Sequence, residues 1–313
     1  MTTLRTKTWM TDNQSILKDI PLCQVALLGT HDSATAAISS RSSFGPDAAS
    51  KAGKWRFLPF SHIISARWGR TQPMVVYDQL KAGIRYLDLR TCYLRDFEFF
   101  TAHTLVSRNL LVVIEQIVRF QQENPEELII LDFNHFYNMR EKEHLQLINF
   151  IQREFGDKLA LETLTPEVTC GALWKTTYRV IVLYKYRPIS RNYLWLWGNK
   201  YIRSSWPRAK HYQFLRTFLL KDLAHRNPKK FHVCQCITTP SVWLVTRGIL
   251  TLGLYPNSLK RTEIKLNHHI LEWLRDLTEK QKQLLNIVMI DWATHEVCAN
   301  FLVELLAINQ RKK

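Results

Sequence analysis

The sequence predicts an α/β fold, a TIM-like (β/α) barrel that need not be regular. Short runs of branched and aromatic residues alternate with longer segments of helical character. Seven or eight such units argue for a closed parallel barrel, and no G-x-G-x-x-G follows any of the runs, which leaves an open doubly wound sheet in second place. Polar residues also cluster at the ends of the runs, where a barrel of this kind carries its active site.

The expected strands are Val25–Gly29, Ile84–Leu89, Phe97–Ala102, Leu128–Phe133, Arg179–Leu183, Phe231–Ile237 and Asn286–Ile290. Helices are expected at Met74–Ala82, stopped by Gly83, and at Asn109–Asn124, stopped by Pro125. Further helices are expected at Glu141–Glu154, around Gln213–Ala224 and at Thr262–Lys280. No internal repeat and no long linker divides the chain, so residues 1–313 are expected to form one barrel domain. Two aromatic-basic stretches resist assignment. One is 36–72, with Trp55, Phe57, Phe60 and Trp68 among Lys51, Lys54, Arg56, Arg67 and Arg70. The other is Tyr193 to Trp206.

Hydrophobic residues make up 46% of the 313 and charged residues 22%, a balance that supplies a large core and argues against disorder. The first twenty residues lack the apolar run of a secretory signal, and the longest apolar runs are of strand length. The six cysteines stand in apolar context and read as reduced core thiols; Cys234 and Cys236 lack the second pair that a zinc site needs. A cytoplasmic protein is expected. The formal charge of +16 predicts attraction to anionic surfaces. No nucleic-acid-binding signature accompanies it, but the charge alone favours neither nucleic acid nor anionic lipid, and a merely basic surface stays open.

The polar strand ends are His31-Asp32 after Leu27–Thr30, Asp88 and Arg90 after Tyr86-Leu87, His103 after Phe99–Ala102, Lys185 after Val182–Tyr184 and Asp291 after Val288–Ile290. Asp88 and Arg90 lie two residues apart and so share a strand face. The segment after Arg90 is too short for a crossover helix, which predicts a hairpin turning near Asp96–Phe97. A turn centred there sets His103 opposite Arg90, roughly 5 Å away. No glycine marks the turn, and a slip of one residue would break that pairing. Two imidazoles and a guanidinium suit a phosphodiester: one imidazole takes a proton from the nucleophile, the other protonates the departing oxygen, and the guanidinium holds the phosphoryl charge. Asp32 and Asp291 are the carboxylates available to orient the two rings.

These residues also carry a family resemblance. Leu28-Gly29-Thr30-His31-Asp32-Ser33-Ala34-Thr35 resembles the X region of phosphatidylinositol-specific phospholipase C, and 79–90 resembles its helix-Gly-strand ending in D-x-R. Ala102-His103 is similar to its second histidine block, 124–130 to its N-P-x-E-x-I-I lead-in, and 288–292 to its last barrel strand. The form most resembles the X-domain-containing group of eukaryotic proteins. The resemblance implies that His31 is the general base on the inositol 2-hydroxyl with Asp291 behind it. His103 is then the general acid on the glycerol oxygen, with Asp32 behind it, and Arg90 holds the phosphate. Lys185 falls where that family contacts the inositol ring or its substituents. The implied substrate is an inositol phospholipid, cleaved to diacylglycerol and an inositol (cyclic) phosphate, and the implied partner is an anionic membrane surface, met peripherally, with no nucleic acid.

No cofactor is implied and no metal is expected. The calcium-dependent members carry an Asn, a second carboxylate and a Glu where this chain has Asp32, Arg90 and Phe133. Arg90 therefore stands in the ion's place, as in the metal-independent bacterial members, with Asp88 as its carboxylate partner. The competing account has Asp88, Asp132 and Asp291 assembling a metal site. Two other readings stay open: a catalytically silent lipid- or membrane-binding protein on the same fold, and hydrolysis of glycerophosphodiesters or sphingomyelin. The stretch 51–70 is expected either to touch the membrane or to cover the barrel as a buried loop.

Overall fold

A computed structural model describes residues 4–48, 56–57, 59–94, 98–251 and 255–312. The turn expected at Asp96–Phe97 and the side chains of Lys51, Lys54 and Trp55 lie outside the described residues.

The strands, in chain order, are β1 (Leu27–Thr30), β2 (Tyr86–Leu94), β3 (Glu98–His103), β4 (Leu105–Asn109), β5 (Ile129–Tyr137), β6 (Val180–Tyr184), β7 (Leu196–Trp197), β8 (Ile202–Ser204), β9 (Phe231–Gln235) and β10 (Ile287–Ile290). Eight of them form one parallel sheet in the order β7-β6-β5-β2-β1-β10-β9-β8. That order follows the chain around the sheet, as in a (β/α) barrel. Among the described residues no pairing joins β7 to β8, so the sheet curls into a barrel with an open seam between these two very short strands. β3 and β4 form an antiparallel extension on β2.

Strands β1, β6, β9 and β10 are buried along their whole length, as expected of parallel strands covered on both faces. The longer helices are α1 (Ser61–Gly69), α2 (Val76–Lys81), α3 (Leu110–Glu123), α4 (Glu141–Phe155), α5 (Tyr212–Ala224), α6 (Val242–Leu250), α7 (Leu259–Asp276), α8 (Glu279–Leu284) and α9 (His295–Gln310). In α3 the buried positions Leu110, Val113, Ile114, Ile117 and Phe120 recur at helical spacing, and the Asn109 side chain caps the first turn by accepting from the Leu111 N–H at 2.8 Å. α2 is stopped at Gly83, whose φ of +106° belongs to glycine; a Cβ there would collide with Leu302 Cδ1. The glycine therefore serves both the turn and the packing of α9 against it.

Three expectations are corrected. The single helix at Thr262–Lys280 is two, α7 and α8, because Thr278 starts a new capping box: its Oγ1 accepts from the Gln281 N–H, and Gln281 Oε1 accepts from the Thr278 N–H. Helices α1, α6 and α9 and strands β4, β7 and β8 were not anticipated. The β2–β3 hairpin is one residue off the expected register: Thr91 faces Thr101 and Tyr93 faces Phe99, which carried to Arg90 sets it opposite Ala102 rather than His103. In the observed register the Tyr93 and Phe99 rings lie 5.2 Å apart, whereas the expected register sets Tyr93 opposite Phe100, so an aromatic cross-strand pair exists in either alignment and does not choose between them. All six cysteines are buried and free. No helix among the described residues is long and apolar enough to cross a membrane.

Candidate active site

The ends of β1, β3 and β10 and the interior of β2 bring together His31, Asp32, Asp88, Arg90, His103 and Asp291 at one mouth of the barrel. β1 ends at Thr30, and the chain turns sharply at Asp32, which adopts a φ of +43°. Thr104 and Trp292, directly after His103 and Asp291, are also left-handed at +64° and +56°. Such backbone is disfavoured for non-glycine residues, and its placement at the site marks where packing imposes a geometry the local sequence would not choose.

His31 is buried, and its Nδ1 lies 3.0 Å from Asp291 Oδ1. On the other side of the ring, Nε2 lies 2.8 Å from Arg90 Nη2 and 3.2 Å from Asp32 Oδ2. The guanidinium can only donate, so the contact fits a ring with its proton on Nδ1, given to Asp291, and a lone pair on Nε2. Burial disfavours the imidazolium, but Asp32 and Asp291 outweigh it and hold the His31 pKa above its ordinary value. Burial also raises the Asp291 carboxyl, with His31 pulling the other way.

Arg90 Nε lies 2.5 Å from Asp32 Oδ1, and Nη2 lies 3.8 Å from Asp88 Oδ2. The shared face of Asp88 and Arg90 is therefore as expected, but the nearer carboxylate partner of Arg90 is Asp32. Asp88 instead accepts from the Asp32 backbone N–H at 3.0 Å and from the Asn134 amide. His103, off the expected register, still reaches the cluster. Its Nδ1 lies 2.8 Å from the Gly69 carbonyl, which fixes a proton there, and its Nε2 lies 3.3 Å from Asp32 Oδ2. The two imidazoles face each other edge-on with centroids 5.9 Å apart.

Lys185 stands on the far wall of the same cleft, which has a volume of about 290 Å³. Its Nζ lies 3.2 Å from Asp132 Oδ2, the oxygen that also accepts from the Tyr86 hydroxyl at 2.6 Å. Trp206, from the unassigned aromatic stretch, closes the cleft with its ring 5.6 Å from His31.

Sequence reasoning missed the clamp behind the site. Gln72 Nε2 donates to the carbonyls of His31 and Ile290 at 3.0 Å each, and its Oε1 accepts from the Ala293 N–H at 3.1 Å. One amide thus ties the end of β1 to the end of β10. Thr71 adds its hydroxyl to the carbonyls of His31 and Asp32, and its own carbonyl accepts from Trp292. A Thr-Gln pair in a loop carries no signal of this kind. Asn134 directly follows the expected strand Leu128–Phe133, so the strand-end pattern could have found it, and Trp206 closes the aromatic stretch left without assignment.

The nitrogen and oxygen donors of His31, Asp32 and Asp88 lie within 4.8 Å of one another, a set that in isolation suits a cation. Arg90 already lies against all three. A guanidinium among these atoms supplies the positive charge an ion would bring and repels an ion added to it. The alternative set is also engaged: Asp132 holds Tyr86 and Lys185, Asp291 holds His31, and Phe133 lies in the core between β2 and β6. The residues present therefore do not fit a hard metal ion.

The family model for the X domain of phosphatidylinositol-specific phospholipase C matches residues 63–186, which carry Asp88, Arg90, His103 and Lys185. The mouse PI-PLC X domain-containing protein 2 is 32% identical over 314 residues, covering 96% of this chain and 90% of the relative. The variant-surface-glycoprotein phospholipase C of Trypanosoma brucei brucei is 28% identical over 301 residues, covering 87% of this chain and 81% of that protein. Among solved structures, the phosphatidylinositol-specific phospholipase C of Listeria monocytogenes superposes with a TM-score of 0.66 over 96% of this chain and 98% of that one, at 17% identity, a likeness of fold. The chain belongs to the PI-PLC X domain-containing protein family.

Proposed function

We propose that the chain is a metal-independent phosphodiesterase that cleaves an inositol phospholipid. The observation that carries this reading is the pair of imidazoles held edge-on over Asp32, one with its Nε2 against the Arg90 guanidinium.

When a lipid phosphate enters, its charge draws the guanidinium off His31 Nε2, which is then free to act as a base. Nε2 takes the proton of the inositol 2-hydroxyl while Nδ1–H stays on Asp291, and the freed oxygen attacks phosphorus. Arg90, anchored by Asp32, meets the charge that grows on the phosphoryl oxygens. As the P–O bond to glycerol breaks, His103 gives its Nε2 proton to the departing oxygen, its Nδ1 remaining on Gly69. The products are diacylglycerol and a cyclic inositol phosphate. Water opens the ring by the reverse roles, with the now neutral His103 as base and the protonated His31 as acid. Lys185 and Asp88 line the cleft where the inositol ring would lie.

The same reading makes the protein cytoplasmic and peripheral to an anionic membrane. Its charge of +16 supports this. So do the exposed Phe57 and Phe60 at 74% and 75% accessibility, and Trp243 and Leu250 of α6 at 64% and 76%. These exposed aromatics are also what a catalytically silent membrane-binding protein would need. Mixing the purified protein with phosphatidylinositol vesicles separates the two: water-soluble inositol phosphate appears if the chain is an enzyme, and vesicle binding with no product leaves the silent protein.

A further inference from the structure

Between α1 and α6, next to the cleft but outside it, lies an uncharged slot of about 200 Å³. Ile64, Trp68 and Gly69 of α1 form one wall, Val245 and Ile249 of α6 the other, and Thr104 the inner end. Apolar side chains on both flanks of the slot are exposed: Phe60, just before α1, and Ile63 on one side, Val242 and Leu250 on the other.

We propose that this slot takes one acyl chain of the lipid being cleaved, an inference that rests on the proposed function. Two observations select that occupant. The first is position. Gly69 and Thr104, which line the slot, are the residues on either side of His103: Gly69 accepts its Nδ1–H, and Thr104 follows it in the chain. On the proposed reaction, His103 hands its proton to the glycerol oxygen. The apolar group attached to that glycerol must therefore leave the cleft past these two residues. The second is chemistry. The slot is free of charged walls, so it offers nothing to the inositol ring or its phosphate, which find Lys185, Arg90 and Asp88 on the opposite side. The order of charged cleft, His103 and apolar slot, with exposed apolar side chains flanking the slot, matches the headgroup, glycerol and chain of one lipid. Gly69 lets α1 approach His103 this closely, since a Cβ there would meet the His103 carbonyl at 2.9 Å.

The test uses the full chain and two readouts. In the first, Trp68 reports on the slot: vesicles of phosphatidylinositol with brominated acyl chains should quench the wild type more than Trp68→Phe. Val245→Phe, which fills the slot, should abolish that difference. In the second, kcat/KM is compared for long-chain phosphatidylinositol in mixed micelles and for a water-soluble inositol phosphodiester with a short alcohol in place of diacylglycerol. Val245→Phe should lower the first about tenfold or more and leave the second unchanged, with a native melting transition. Val245→Ala, which widens the slot and guards against a misfolded Phe variant, should shift preference toward bulkier chains. Cleavage of the soluble diester together with indifference of both readouts to Val245 overturns the slot and leaves the proposed function standing. Quenching at Trp68 with no cleavage of either substrate does the reverse. A dimer in sedimentation that Val245→Phe dissociates shows that a second copy covers the face, and also overturns the slot.

Discussion

The Nη2 of Arg90 lies 2.8 Å from the Nε2 of His31, so the phosphate-holding group and the base of the proposed reaction touch before any substrate is present. The contact spends the base's lone pair on a guanidinium. Only an anion able to compete for Arg90 releases it, which ties activation of the base to arrival of a phosphate. Arg90 also keeps Nε on Asp32, so its planar fork bridges two groups at once. Lysine carries a single compact ammonium and cannot make both contacts.

Arg90→Lys is accordingly expected to lower kcat by about a hundredfold or more, as for loss of a donor aimed at developing charge. Wild-type activity is expected to persist in excess chelator. Near-normal turnover in the lysine variant, or an absolute requirement for added calcium, would remove Arg90 from its assigned place.

His31→Ala and His103→Ala are each expected to reduce turnover by at least about a hundredfold while the melting transition stays native. The two should differ on a substrate with a better leaving group. A phenol-like alcohol needs no proton on departure, so His103→Ala should recover much of its loss there and His31→Ala should not. Equal recovery in both variants would show that the base and acid have been assigned the wrong way round or not at all.

The acid side of the pH profile follows from the same contacts. Burial alone would lower the His31 pKa, but Asp32 and Asp291 outweigh it, so the ring keeps its second proton to a pH above the ordinary 6.5. The base is the neutral ring, and activity is therefore lost as pH falls through that raised value. The pairing's contribution to stability runs the other way: it is full below 6.5 and fades as pH rises through the raised value. The acid limb of kcat/KM should lie above 6.5 and move down in Asp291→Asn. A limb at or below 6.5 that ignores Asp291 contradicts the assignment.

Gln72 is a positioning residue, since it touches the His31 and Ile290 carbonyls and no reacting atom. Gln72→Leu leaves buried polar groups without their partners and should destabilise the fold by about 1–3 kcal/mol. If the clamp also sets the spacing of His31 and Asp291, kcat should fall more than KM rises, and Gln72→Glu should not rescue it, because a carboxylate cannot donate to the two carbonyls. Loss of stability with unchanged kcat, measured well below the melting temperature, would reduce Gln72 to a structural role.

Phe57 and Phe60 are exposed, which favours the membrane reading of this stretch over a buried cover at those two positions. Replacing both with serine should weaken binding to anionic vesicles and spare cleavage of a soluble inositol phosphodiester. Equal loss on both substrates would indicate that these rings support the barrel instead.

The sequence by itself determined what depends on neighbours a few residues apart. The alternation of apolar runs and helical segments set the parallel sheet. Two-residue spacing put Asp88 and Arg90 on one face, and the polar residues that end each run put His31, Asp32, His103, Lys185 and Asp291 at one rim. Tertiary structure decided the pairings. His31 meets Asp291 across 260 positions of chain, and Gln72 binds across 218 to reach Ile290, distances at which no local pattern carries information. It also decided the hairpin register, because no glycine sets the turn and Tyr93 meets a phenylalanine in either alignment, so the local sequence does not separate the two. Strands as short as β7 and β8 have too few residues to express a period, so the open seam between them was invisible in the sequence. The slot between α1 and α6 exists only because residues 64–69 and 245–249 pack side by side, a contact between surfaces that neither segment encodes alone.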